Sequence, residues 1–369
     1  MKFPALFKPL QVGPYKLAHR VAMAPLTRMR AERESFAPRP LNVEYYGQRA
    51  TQGGLIVAEA SPVLSHGRGN PATPGIYSES QIAGWRKVVD AVHAKGGIIF
   101  LQLWHVGRVS HSSFHGGALP VSASAIPIKA EGMRAMTADG KIADYETPRA
   151  LETEEVKDIV EAFRQGARNA LAAGFDGVEI HGANGYLLDQ FLRSGSNKRT
   201  DQYGDSLENR ARLPLEVTKA VIEVWGGDRV GYRISPHFAA HSIADANPRE
   251  TFSYLTKELN KTGLGYLHLI EAIGGRFGIV PPEARMGSDL RRIFERTFIL
   301  NGGYDLRSGN EAIARGEADL IAFGVPFLAN PDLPERLRQN APLNEPDVAT
   351  FYLGEAKGYT DYPSLLFNK

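Results

Sequence analysis

Short apolar runs recur along this chain, and between them the apolar positions spread out to helical spacing. The runs at 21–26, 55–60, 98–104, 177–180, 229–234, 266–271, 297–300 and 320–323 have the length and the β-branched, aromatic character of strands. The segments between them carry helix punctuation. Ser78-Glu79-Ser80-Gln81 reads as a capping box, Ile82, Trp85, Val88, Val89 and Val92 share one face, and Gly96-Gly97 supply the stop. A second stripe, Val156, Ile159, Val160, Phe163 and Ala167, closes at Gly174, directly before the run that carries Glu179. Eight alternating β and α units predict a (β/α)8 TIM barrel; a doubly wound sheet is the weaker alternative.

A barrel of this type needs roughly 250 residues. The 369 present leave room for insertions within a single barrel domain spanning 1–369. The largest break in the rhythm is 105–150, rich in Ser, Gly, Ala and Pro and placed after the third strand, so it is expected to cap the catalytic face. The turn-containing ribbon at 7–15 is expected to form an N-terminal hairpin closing the barrel bottom.

Composition narrows the function classes. Lys plus Arg number 43 and Asp plus Glu 41, a formal charge of +2 that makes no case for nucleic acid. The absence of cysteine removes disulfides, thiolate metal sites and cysteine nucleophiles. No signal-like leader and no apolar run of about 18 residues is present, so a soluble, cytoplasmic protein is expected, with no membrane partner.

Barrel chemistry sits just beyond strand C-termini, and the polar residues fall there. They are Pro25-Leu26-Thr27 after the first run, Gln102 and Trp104-His105 at the third, His181, Asn184 and Tyr186 after the fourth, and Arg233 in the fifth. His181 and Asn184 can both donate to one oxygen while Tyr186 delivers a proton nearby, a constellation for polarising a carbonyl-like group. Each residue also has a bland reading as a satisfied structural polar group. The last two runs end in Asn301-Gly302-Gly303 and Phe323-Gly324, where barrels bind phosphate through backbone N–H groups.

The blocks Val21-Ala22-Met23-Ala24-Pro25-Leu26-Thr27-Arg28, Leu103-Trp104-His105-Val106-Gly107-Arg108, His181-Gly182-Ala183-Asn184-Gly185-Tyr186-Leu187-Leu188 and Gly358-Tyr359-Thr360-Asp361-Tyr362-Pro363 stand in order along almost the whole chain. In them the sequence resembles the old yellow enzyme family of FMN-dependent ene-reductases. The resemblance implies tightly bound, non-covalent FMN, NAD(P)H as reductant and a small-molecule activated alkene as substrate. It implies flavin contacts from Pro25, Leu26, Thr27, Ala60, Gln102 and Arg233, phosphate binding by Gly302, Gly303 and Gly324, and pocket walls from Trp104, Tyr352 and Asn70. His181 and Asn184 would bind the substrate oxygen and Tyr186 would be the proton donor. No G-x-G-x-x-G lies between a strand and a helix, so the nicotinamide donor needs no domain of its own.

Two positions depart from the family pattern. Asn70 stands where many relatives carry tyrosine, and Val325 where many carry a phosphate-binding arginine, with Arg276 and Arg307 as possible substitutes. Two other classes stay open: a flavin-binding sensor without turnover, and a metal-dependent barrel hydrolase using His105, His181, Glu59 and Glu179. The second lacks any HExxH or other closely spaced ligand set.

Overall fold

A computed structural model of the chain describes residues 3–129, 132–274 and 278–365. Eight parallel strands close into a barrel. In chain order they are Val21–Met23, Leu55–Pro62, Ile98–Trp104, Gly177–His181, Val230–Ile234, Tyr266–Ile270, Thr297–Asn301 and Leu320–Phe323. All eight apolar runs are therefore barrel strands, and the eighth pairs with the first through Phe323 and Met23. The doubly wound alternative fails because the sheet has no free edge.

The helices pack outside as their stripes require. On Glu79–His93 the residues Trp85, Val88, Val89 and Val92 are buried, and on Thr153–Ala172 so are Val156, Ile159, Phe163 and Ala167. The capping box at Ser78 is half realised. Ser78 Oγ accepts the Gln81 N–H at 3.4 Å, but the Gln81 carbonyl oxygen turns one residue upstream and accepts from Tyr77 N at 2.8 Å. The stop is as expected: Gly96 adopts φ +68° and returns its N–H to His93 O.

Strands Leu10–Val12 and Tyr15–Leu17 form the N-terminal hairpin. Val12 and Leu17 pack with Ala22, Ala24, Leu55, Phe100, Tyr266, Ile299, Leu320 and Ala322, and the Tyr15 hydroxyl donates to Asp176 O at 2.7 Å. The barrel floor is thus apolar and plugged, which leaves the strand C-termini as the polar end.

Segment 105–150 holds a two-residue parallel pair, Val121–Ser122 with Arg149–Ala150, and a small antiparallel hairpin, Ala135–Met136 with Ile142–Ala143. It also covers the mouth. Ile128 is buried with Ala60, Trp104, Val106 and Val109, and Met133, Tyr145 and Tyr186 pack against the same cluster. The buried Arg108 guanidinium fastens it, donating to Ile126 O at 2.8 Å and to His241 O and Ser242 O at 3.0 Å. A second strap, 350–360, is held by Arg28, Arg30 and Arg49, whose guanidinium groups donate to carbonyls of that stretch. Between them Tyr45 and Tyr359 stack at 4.0 Å, with Arg49 over the Tyr45 ring at 3.7 Å and Arg30 over the Tyr359 ring at 4.6 Å.

Candidate active site

Strand register decides which side chains face the barrel axis. Glu179 lies beside Gln102 on one neighbour and Gly231 on the other, and two residues on, His181 lies beside Arg233, which lies beside His268. Because side chains alternate along a strand, Gln102 and Trp104, Glu179 and His181, Arg233, and His268 all point inward. Gly231 is glycine for a steric reason: a Cβ there would stand 2.1 Å from the Tyr266 ring.

The turn after the fourth strand is held under constraint. Asn184 has φ +59°, its N–H donates to Ser235 Oγ at 2.7 Å, and its carbonyl accepts from His241 Nδ1 at 2.9 Å. Beneath it the buried pair Arg193 and Asp189, 2.7 Å apart, holds Gly185 N at 2.9 Å through the carboxylate, and Ser235 O and Pro236 O through the guanidinium. Such a conformation persists only where its surroundings over-determine it, and it concentrates at working sites.

His181 Nδ1 accepts the Ala183 N–H at 3.4 Å. Burial pushes the ring well below the usual histidine range, with Arg233 and His268 adding to the effect. The neutral tautomer therefore carries its proton on Nε2, a donor. Tyr186 packs edge-on against both Trp104 and His181, each at 4.9 Å, and tilts toward His241 at 5.7 Å. Burial, then neighbouring Tyr145 and Tyr352, raise the phenol above its ordinary value, so it holds its proton throughout the neutral range.

Arg233 donates from Nη2 to Asn301 Oδ1 at 2.9 Å, and Asn301 Nδ2 in turn donates to Ala322 O at 2.7 Å. The Arg233 Nε and Trp104 Nε1 atoms are buried with no protein partner. Gly302 and Gly303 adopt φ +129° and +80°, and a Cβ on Gly303 would stand 2.4 Å from Gly274 O. A Cβ on Gly324 would come within 3.5 Å of Leu26, which joins the end of the first strand to the end of the eighth. The residues fit FMN: an unused guanidinium N–H for an electron-rich ring edge, and a bare-backbone cradle for the phosphate.

The remaining sequence candidates fall around this mouth. Pro25 and Ala60 are buried, Leu26, Thr27 and Asn70 half-buried, and Tyr352 is 45% exposed. Asn70 follows Gly69, which touches Val106 and Val109 just past Trp104. Val325 packs toward Leu328, Ala329 and Phe351. Arg307 is exposed and paired with Glu311, while Arg276 lies outside the described residues. The two carboxylates of the hydrolase alternative are engaged. Glu59 accepts from Arg28 N and the Tyr46 hydroxyl, and Glu179 from Gln102 and His268. Among the described residues no three His, Asp or Glu converge on a metal position.

Sequence reasoning missed Met133, Tyr145, His241 and His268, and marked Asn301 only as a strand end, not as the partner of Arg233. His268 had a visible signal, a polar residue at an inward position of an otherwise apolar strand. The others sit on loops or strand ends that only the folded chain brings together.

Comparison with known proteins places the chain in a family. Residues 5–344 match the NADH:flavin oxidoreductase / NADH oxidase family. The chain is 47% identical over 375 residues to 12-oxophytodienoate reductase 7 of Oryza sativa subsp. japonica, covering 98% of this chain and 94% of that protein. It is 46% identical over 362 residues to 12-oxophytodienoate reductase 2 of Arabidopsis thaliana, covering 98% and 96%. Among solved structures, morphinone reductase in complex with tetrahydroNAD superposes with TM-score 0.91 at 49% identity, covering 98% of this chain and 97% of that one. The old yellow enzyme homologue from Zymomonas mobilis gives 0.93 at 40% identity, covering 98% and 100%. The chain belongs to the NADH:flavin oxidoreductase family, in its old yellow enzyme branch. It is an NAD(P)H-dependent, FMN-containing oxidoreductase.

Proposed function

We propose that this protein is an ene-reductase that saturates the C=C bond of an alkene activated by a carbonyl, imide or nitro group, working as one barrel domain capped by 105–150. When bound, FMN reduced by NAD(P)H would supply a hydride from N5 to the alkene β-carbon. The chain's residues do the rest. His181, through Nε2–H, and Asn184 hold the oxygen of the activating group and take up the charge that develops there. Tyr186 gives its phenolic proton to the α-carbon from the face opposite the flavin. Arg233 would hold the electron-rich edge of the ring, Gln102 and Thr27 its polar rim, and Pro25, Leu26 and Ala60 its surface. Gly302, Gly303 and Gly324 cradle the phosphate, and Trp104, Tyr352 and Asn70 wall the substrate space.

One observation carries this reading: a neutral histidine, a constrained asparagine and a proton-retaining tyrosine share one mouth with a buried arginine whose Nε has no partner. The same mouth receives the reductant on this reading, in keeping with the lack of a G-x-G-x-x-G between a strand and a helix. Anaerobic reduction of the purified protein, followed by rapid mixing with a panel of enones, maleimides and nitroalkenes, tests it. Reoxidation of the flavin with formation of the saturated product is expected; a panel that leaves the flavin reduced would refute alkene reduction.

A further inference from the structure

Glu179 is the buried carboxylate that the mechanism above leaves unused. It stands in the middle of the fourth strand, and its two oxygens are committed. Oε1 accepts from Gln102 Nε2 at 2.7 Å and Oε2 from His268 Nδ1 at 2.8 Å, with both glutamate and histidine side chains sealed from solvent. An ionised carboxylate only accepts, so both partners must be donors. This settles the Gln102 amide: its NH2 faces Glu179, and its carbonyl oxygen is the end left for the pocket. It also settles the His268 tautomer, with the proton on Nδ1. His268 Nε2 is buried without a partner, so a second proton would create an unpaired donor there.

The charges then balance. Burial alone would push the Glu179 carboxyl up, but His268, Arg233 and Gln102 outweigh it and hold it below the usual range. Burial keeps His268 below its ordinary value despite the pull of Glu179. This layer therefore holds one anion, Glu179, under one cation, Arg233, with a neutral imidazole between them. A buried, unscreened charge acts at longer range than a surface one.

We propose that Glu179 is a positioning and charge-setting residue: it offsets the field of Arg233 and thereby lowers the reduction potential of the bound flavin, and it turns the Gln102 carbonyl toward the ring as an acceptor. The proposal rests on the reading that Arg233 meets the electron-rich edge of FMN. Reduction adds negative charge at that edge, so an anion behind the arginine opposes it and makes the reduced flavin a stronger donor. Removing the anion has the opposite effect.

The test is the midpoint potential of the bound flavin in Glu179→Gln, Glu179→Met and Glu179→Asp, with the thermal midpoint of each FMN-free protein as a check on folding. Both neutral variants are expected to favour the reduced flavin at least tenfold more than wild type does, about 30 mV upward for a two-electron couple. Glu179→Asp, which keeps the charge, is expected to stay within about threefold of wild type by the same conversion. The methionine variant needs no hydrogen-bond partner, so failure of the glutamine variant to fold leaves the measurement available. An unchanged or lowered potential in the neutral variants, an equal shift in Glu179→Asp, or loss of FMN from a folded neutral variant each overturns the proposal. Arg233→Gln separates it from the reading beneath: if Arg233→Gln lowers the potential while Glu179 variants do nothing, only the role of Glu179 falls. If Arg233→Gln also leaves the potential alone, the placement of the flavin is wrong.

Discussion

At the scale of single residues, the proposed role of Tyr186 as proton donor concerns one of the two stages alone. Only the transfer to an alkene needs an external proton, so Tyr186→Phe is expected to leave reduction of the flavin by NAD(P)H near wild type. It should slow enone reduction by about 10²–10⁴-fold, the usual worth of a positioned general acid. Stopped-flow measurement of the two stages checks this, and a collapse of the first stage with the second intact would remove Tyr186 from its role. Val325 yields a second residue-scale expectation. Its side chain packs toward Leu328, Ala329 and Phe351, Arg307 is tied to Glu311, and the proposed cradle rests on glycine backbone. A hydrogen bond to a charged group is worth about 1.5–3 kcal/mol, so Val325→Arg should tighten FMN by about one to two powers of ten, and less at high salt. Equal dissociation constants for the two proteins at low salt would show that the missing charge is already supplied. Tyr186 and His181 were legible in sequence because they leave one strand end within a few residues. His241, which pins the Asn184 carbonyl, was not, because its place in the site depends on two left-handed loop residues and on Arg108.

At the scale of elements, all eight barrel strands could be read from their short apolar runs, and the N-terminal hairpin from the turn signals at 7–15, although its strands lie at Leu10–Val12 and Tyr15–Leu17. The insertion could be placed but not resolved. Its strands are two residues long, and its order comes from side chains donating to distant carbonyls rather than from a pattern of its own. Arg108 is the clearest case: buried, with one guanidinium joining 126 to 241 and 242. Arg108→Ala should leave those carbonyls without their donor and cost about 3 kcal/mol or more, the range for losing charge-assisted bonds in a buried setting. The effect should be local. Protease nicking and amide exchange within 105–150 are expected to rise well before the barrel strands respond, with a higher KM for the alkene; uniform exchange across the barrel would contradict the clasp.

At the scale of the whole molecule, buried titrating groups outside the proposed catalytic set shape the dependence of stability on pH. Glu59 is buried, and desolvation raises its carboxyl to about 7 despite the Arg28 N–H and the Tyr46 hydroxyl. A carboxyl raised on folding binds its proton more tightly in the native state, so its contribution is full below the unfolded value of 4.5 and is lost as pH climbs through about 7. His19 runs the other way: burial lowers it to about 4, so its contribution is full above 6.5 and is lost as pH falls toward 4. Relative to wild type, Glu59→Gln should therefore gain stability between pH 5 and 8. Denaturant midpoints across that window decide it; a difference that does not move with pH would mean Glu59 ionises normally.

Glu59 lies beside the arginines that lash the strap at 350–360 onto the first loops. The Tyr45–Tyr359 stack joins two residues separated by most of the polypeptide, and the strap it anchors carries Tyr352. During synthesis, then, this closure has to wait for the end of the strap to be made. The barrel can gather strand by strand, but the strap docks only when the residues around Tyr359 emerge and offer Arg28, Arg30 and Arg49 their carbonyls.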